Sequence, residues 1–409
     1  MVKAAAPPEG EGDVLLDPAR LDDPFADLAA LRERHPVFHH RRLGQWFVLA
    51  HAEVTACFAD PRLSADRMRG FVDAAPEAVR PELRRVAPFL QTWLLMKDGA
   101  EHARIRGQLH RGFDARAVAG LEGSIRRATA ELLASAAHDG RMDAGNDFAF
   151  LLPAYVLSDF MGVAPEDRDQ VVRWSVDFVD FFNVIPITAD TTARMVRSTG
   201  EMAAYTRRLL EMRRREPADD FLGVLAAAGD EGLSDDEIIG NTMLLLIAGH
   251  VAVRNLIGNM VWLLLQHPDQ RALLAADPAL IEGLVEESLR FEPPVTLIPR
   301  IALEDVEVGG EAIPAGGVVQ LSIAAANRDP AAFPDPDRFD ITRPRGPLLS
   351  FGHGPHGCLG ARLARMQARI AVQALLERHP HLRADPDRPP TWYRNAGNRG
   401  PITLPLILD

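Results

Sequence analysis

The chain has 409 residues, 47% hydrophobic and 25% charged, with a formal net charge of −12. That is an ordinary globular composition with ample apolar material for a large interior. The acidic balance, without blocks of like charge, argues against nucleic acid or a membrane surface as the main partner. Cys57 and Cys358 are the only cysteines, too few and too far apart for a disulfide framework, which suits a reducing, cytoplasmic compartment. Length alone suggests two or three domains.

Residues 1–14 read as a disordered lead from their Pro, Gly and Glu content, and Met1 to Pro8 hold no long apolar core, so neither signal peptide nor membrane anchor is expected. Arg42 to Val48 reads as short strands. His51 to Phe58 then opens a helix that Asp60-Pro61 breaks, with Cys57 a small buried hydrophobe. Short helical patterns interrupted by Pro76, Pro81 and Pro88 follow. In the stretch after Asp98, His102 and Arg106 share one helix face, so both can reach one anionic group; a solvated charged face has the same spacing.

Helical periodicity dominates Val118 to Ala137, Glu166 to Phe182 and Asp190 to Arg215. Trp174, Phe178, Phe181, Phe182 and Ile185 form an apolar stripe that reads as core, and Pro186 ends it. Ser234 and Glu237 fit a capping box that launches the longest apolar segment, Ile238 to Gln266. About thirty residues at 1.5 Å rise span about 45 Å, so this helix is expected to cross the middle of the molecule. His250, Arg254 and Asn255 interrupt it, which argues against a membrane span. Further on, Glu287 and Arg290 stand three apart, Val306 to Ser322 reads as a hairpin-rich strand region, Asn395 to Asn398 as a turn within reach of substrate, and Pro401 to Leu406 as a closing strand.

The chemistry concentrates at Phe351-Gly352-His353-Gly354-Pro355-His356-Gly357-Cys358-Leu359-Gly360. Its glycines and proline require a tight loop that approaches something closely, and the helix-like stretch from Ala361 places the Cys358 sulfur near a helix N-terminus, where a lowered pKa and a thiolate are expected. The pattern Phe351-x-x-Gly354-x-x-x-Cys358-x-Gly360 resembles the haem-binding signature of the cytochrome P450 family of haem-thiolate monooxygenases. The resemblance extends from about residue 15 to the end as several motifs in the family's order.

The resemblance implies one mainly α domain over residues 15–409 with a minor β region, haem b as cofactor, and the long helix crossing the distal haem face. Cys358 would be the axial metal ligand, within a loop to which Phe351, Gly352, His356 and Gly360 belong. His102, Arg106 and Arg300 match propionate-binding positions, and Glu287, Arg290 and Arg338 match a structural cluster on the proximal side. Residues 67–95 correspond to the roof of a substrate pocket for which Leu244, Ile247, Ala248, Leu297 and Ile298 are candidates. The family also implies a mostly hydrophobic small-molecule substrate, such as a natural-product intermediate, and electrons from a ferredoxin and ferredoxin reductase. Arg104, Arg111, Arg362 and Arg365 are the candidate docking charges.

One departure bears on mechanism. Where the family's long helix carries an acid and an alcohol that relay protons, this chain has Val251 and Ala252. Neither offers a donor or acceptor. Asn255, about one turn away, is the nearest polar side chain and is expected to hold a water there. Protons would then come through water or from the substrate. The same gap opens an alternative, a haem enzyme that uses peroxide, couples substrates oxidatively, or acts as a dehydratase or isomerase. Arg254 is expected in a salt bridge and His250 as a hydrogen-bonded structural residue. Leu348 stands where many relatives place a propionate-binding histidine.

Overall fold

A computed structural model describes Leu15, Asp17 and residues 20–68, 71–183, 187–393 and 395–408. The expected lead over residues 1–14, and Ile185 and Pro186, lie outside the described residues. Helices dominate, and the one that organises them is Asp235–Gln266. Its start is the capping box read from the sequence: the Ser234 hydroxyl accepts from the Glu237 N–H at 3.3 Å, and the Glu237 carboxylate accepts from the Ser234 N–H at 2.9 Å. Length and composition would let this helix cross a membrane, yet it is largely buried inside the protein, where its apolar residues join the main helical core.

Two asparagines fix what lies on either side of it. Asn241 accepts from the Leu94 N–H at 2.8 Å and donates to the Thr92 carbonyl at 2.9 Å, tying residues 92–94 to the helix. Asn259 donates to the carbonyls of Glu292 and Arg399 at 2.9 and 3.1 Å. Backbones also approach closely. A Cβ on Gly240 would sit 2.0 Å from Thr92 Oγ1, and one on Gly258 would sit 2.6 Å from Pro401 Cγ. Substitution at either requires the packed neighbour to move.

A five-stranded sheet runs in the spatial order Val37–His40, Gln45–Val48, Val318–Ser322, Leu297–Ala302, Leu63–Ser64. Its pairs are antiparallel except Gln45–Val48 on Val318–Ser322, where Phe47 faces Gln320. The expected hairpin region is therefore two structures: Val306–Val308 pairs with Glu311–Ile313, whereas Val318–Ser322 joins the larger sheet. Near the end of the chain, Pro401–Thr403 pairs with Thr391–Trp392, and Pro405–Ile407 pairs with Arg141–Asp143 and Arg383–Ala384.

The helix expected from Val118 to Ala137 is broken into Ala115–Gly120 and Glu122–Ala136. Trp174, Phe178 and Phe181 are buried in the core and Phe182 packs partly buried against it, as the stripe implied. The proximal cluster needs one correction. Glu287 and Arg290 form a buried two-pronged pair, both bonds 2.8 Å, but the third cation is Arg343, 3.2 Å from the same carboxylate. Arg338 contributes only its carbonyl, accepting from Arg290 and Arg343, while its exposed side chain faces Asp340 at 3.3 Å. An i, i+3 pair is legible as a spacing. A partner from an irregular loop is not.

Candidate active site

The cysteine loop closes on itself before the helix Ala361–Arg378 begins. The Cys358 N–H donates to the Phe351 carbonyl at 2.8 Å, and the Gly357 N–H to the Gly354 carbonyl at 3.1 Å. Gly352 and Gly354 both hold φ of +69°, a region that favours glycine. Arg365 lies 4.3 Å over the Phe351 ring and pairs with Glu286 at 2.5 Å. Gly360 faces the Phe113 ring, 3.8 Å from where its Cβ would be.

Cys358 has open accessible surface, yet burial pushes its thiol pKa up. The sulfur is thus reachable and yet desolvated by the protein around it. The Gly360 N–H, Arg106 and Arg365 pull the other way, but burial is the larger effect. The expected lowering is thus reversed in the protein alone, because the helix starts three residues after the sulfur and sequence spacing carries no desolvation. A coordinated metal deprotonates a thiol outright.

A basic cluster adjoins the loop. His102 is buried with Nε2 unpartnered, and its ring meets the tilted ring of His356 at 4.2 Å between centroids. His356 approaches Asp98 at 3.3 Å, and Asp98 also accepts from the Ser64 hydroxyl at 2.5 Å and the Ala65 N–H at 3.2 Å. Arg300 is buried, and its one hydrogen bond goes to the Pro299 carbonyl. Burial lowers its pKa, with Asp98 opposing. Neither Arg106 nor Arg300 has a carboxylate within ion-pair distance among the described residues. Uncompensated buried guanidinium is costly, so this cluster fits a dianionic group, which is what the two propionates of haem supply. The accessible Cys358 sulfur and the orphaned His102 nitrogen fit the same cofactor. Leu348 packs partly buried against the core; His356 is the histidine the structure brings to this cluster.

The distal helix opens where the family's relay would stand. Ala248 is exposed in mid-helix, Ile247 and Ala252 are half-buried, and Val251 and Leu244 are buried beside them. Asn255 does not join this open face. It has no accessible surface, donates to the Pro294 carbonyl at 3.4 Å, and packs where a Cβ on Gly400 would be. The expectation that it holds a distal water is corrected, since tertiary packing turns it toward the chain's closing segment. Among the described residues Arg254 has no salt bridge. It donates to Tyr393 Oη at 3.1 Å, Asn146 Oδ1 at 3.2 Å and the Ile402 carbonyl at 2.6 Å, and lies over the Phe150 ring.

Of the two strand candidates, Ile298 shares a face with Arg300, because alternate residues of a strand point the same way. Leu297 points to the other side and packs with Leu28, Phe47 and Ala396 in a separate cluster, so it leaves the pocket set. Sequence reasoning also missed Asp98, which joins the basic cluster through His356, and Arg67, which lies near Arg300, since nothing in their spacing marks them. Among the docking candidates, Arg104 pairs with Glu237 and Arg365 with Glu286, whereas Arg111 and Arg362 are exposed and have no partner among the described residues.

His250 is held on both ring nitrogens, by the Ser175 hydroxyl and by the Phe150 carbonyl at 2.6 Å. Burial, with Arg254 adding to it, pushes its pKa down to about 4 against about 6.5 in an unfolded chain. Between those values the unfolded chain binds the proton more readily, so stability is lost as pH falls from about 6.5 toward 4. Urea unfolding across that range is expected to show this loss, and His250→Gln to flatten it.

Residues 278–397 match the family model for cytochrome P450. The chain is 41% identical over 370 residues to a vitamin D(3) 25-hydroxylase of Pseudonocardia autotrophica, covering 88% of this chain and 87% of that one. It is 38% identical to the cytochrome P450 monooxygenase PikC of Streptomyces venezuelae, covering 94% and 91% of the two chains. The crystal structure of CalO2 superposes with a TM-score of 0.88 at 32% identity, covering 99% of each chain. With an accessible cysteine in its glycine-rich loop, a basic cluster beside it and these relatives, the chain belongs to the cytochrome P450 family. It is a haem b enzyme, an oxidoreductase of the monooxygenase type. When bound, the haem supplies the oxidising chemistry, and the thiolate's electron donation favours O–O cleavage.

Proposed function

We propose that this enzyme hydroxylates or otherwise oxidises a mostly hydrophobic small molecule of secondary metabolism, as one cytoplasmic domain running from residue 15 to 409. Dioxygen, two electrons and two protons are consumed; one oxygen atom enters the substrate and the other leaves as water. A ferredoxin and its reductase deliver the electrons, and the exposed, unpartnered Arg111 and Arg362 offer docking charges. Cys358 ligates the iron, and His102, His356, Arg106 and Arg300 hold the propionates.

The observation that carries this reading is the open apolar face of the central helix at Ile247, Ala248, Val251 and Ala252. Apolar walls favour an apolar ligand, and one relative is named for acting on vitamin D(3). No side chain at 251 or 252 carries a proton, so protons arrive through ordered water or a hydroxyl of the substrate. That same gap favours a second reading, a haem enzyme that uses peroxide, couples substrates, or dehydrates or isomerises them.

Turnover with a ferredoxin system under labelled dioxygen separates the two. The monooxygenase reading expects one labelled oxygen in the product; unlabelled product contradicts it. Val251→Glu combined with Ala252→Thr is expected to change the fraction of electrons lost to peroxide rather than simply to raise the rate.

A further inference from the structure

One cation remains unexplained once the haem-thiolate reading is accepted. Arg67 follows the strand Leu63–Ser64 and enters the segment that the family places over the pocket. Its Nη2 lies 3.7 Å from the Met96 sulfur, and its Nε is buried without a partner. No carboxylate of the described residues stands within ion-pair distance of it, and the charged group that acts on it is another cation, Arg300. Burial lowers its pKa to about 10, so it still carries its charge at neutral pH. A desolvated guanidinium with only a thioether beside it is a costly arrangement unless an anion arrives.

Charge matching shows which anion. Arg106 and Arg300 balance two propionates. Asp98 is already held by Ser64, the Ala65 N–H and His356, which leaves Arg67 over. The chain that follows it is apolar: Met68, Phe71 and Val72, like Met96 beside the guanidinium, pack partly buried on the helical core, and the Phe71 ring meets Phe181 edge-on at 6.3 Å. A single fixed charge in an apolar wall selects a ligand with one anionic end and a hydrocarbon body. We propose that Arg67 anchors a carboxylate of the substrate, so that this enzyme takes apolar carboxylic acids. This proposal rests on the haem-thiolate reading above. Guanidinium and carboxylate make paired, charge-assisted hydrogen bonds.

The test uses the full-length holoenzyme and Arg67→Gln and Arg67→Lys variants, titrated with two matched pairs: lauric acid against lauryl alcohol, and lithocholic acid against its methyl ester. The readout is the ligand-induced shift of the haem absorption band. The wild type is expected to bind at least one acid about tenfold or more tighter than its neutral partner. Arg67→Gln is expected to erase that preference while binding the neutral ligands unchanged, and Arg67→Lys to keep part of it. Absence of any acid preference in the wild type, or its survival in Arg67→Gln, overturns the proposal. So does a variant whose only change is faster haem transfer to apomyoglobin, since Arg67 would then serve a propionate. Failure of the underlying reading is separate: the wild type would lack the thiolate-type absorption of the reduced carbonyl adduct before any ligand is added.

Discussion

Cys358→His yields a folded protein that binds haem but has lost the thiolate-type absorption of its reduced carbonyl adduct and turns over more than about 10³-fold slower, equivalent to about 4 kcal/mol of barrier. The Cys358 N–H to Phe351 carbonyl bond and the two positive-φ glycines are backbone features that a side-chain change leaves in place. The basic cluster of His102, Arg106 and Arg300 is likewise untouched, so cofactor retention is expected. What changes is the donor atom. A neutral imidazole gives iron far less electron density than a thiolate, and the thiolate's donation is what favours O–O cleavage. Absorption spectra and turnover with a ferredoxin system check both halves. A variant that keeps the thiolate-type band would place the axial ligand elsewhere.

Glu287→Gln lowers stability by about 3–5 kcal/mol, because it leaves Arg290 and Arg343 buried without their shared carboxylate. Glu287 also accepts from the Asp340 N–H at 3.0 Å, so one side chain joins a helix, a loop backbone and two guanidinium groups. Urea unfolding of the holoprotein measures the loss. Arg338→Ala provides the contrast: its side chain is 68% exposed, and surface changes of this kind fall within about 0.5 kcal/mol. Equal destabilisation by the two variants would contradict the assignment of Arg343 as the third member.

The parts of this site that were legible in the chain are those set by local sequence. The cysteine loop is one, since glycine and proline spacing dictates backbone shape. The pair His102 and Arg106 is another, since four residues make one helical turn. The long central helix announced itself through its cap at Ser234 and its apolar run. What was not legible depends on tertiary contact. Leu297 and Ile298 are adjacent letters, and only the sheet decides which one faces the haem side. Asn255 has the spacing of a distal residue, but Gly400 and Pro294 claim its side chain. The Cys358 thiol was expected low from its nearness to a helix start, and burial reversed the direction. Arg67 and Arg343 lie in irregular segments, where no periodicity says which group they meet.

Iron-edge X-ray absorption on the purified, haem-loaded enzyme bears most directly on the central claim, that the Cys358 sulfur faces the iron from within this loop. A single sulfur among the iron's nearest neighbours, absent in Cys358→His, is the predicted result. A first shell of nitrogen and oxygen alone would contradict it.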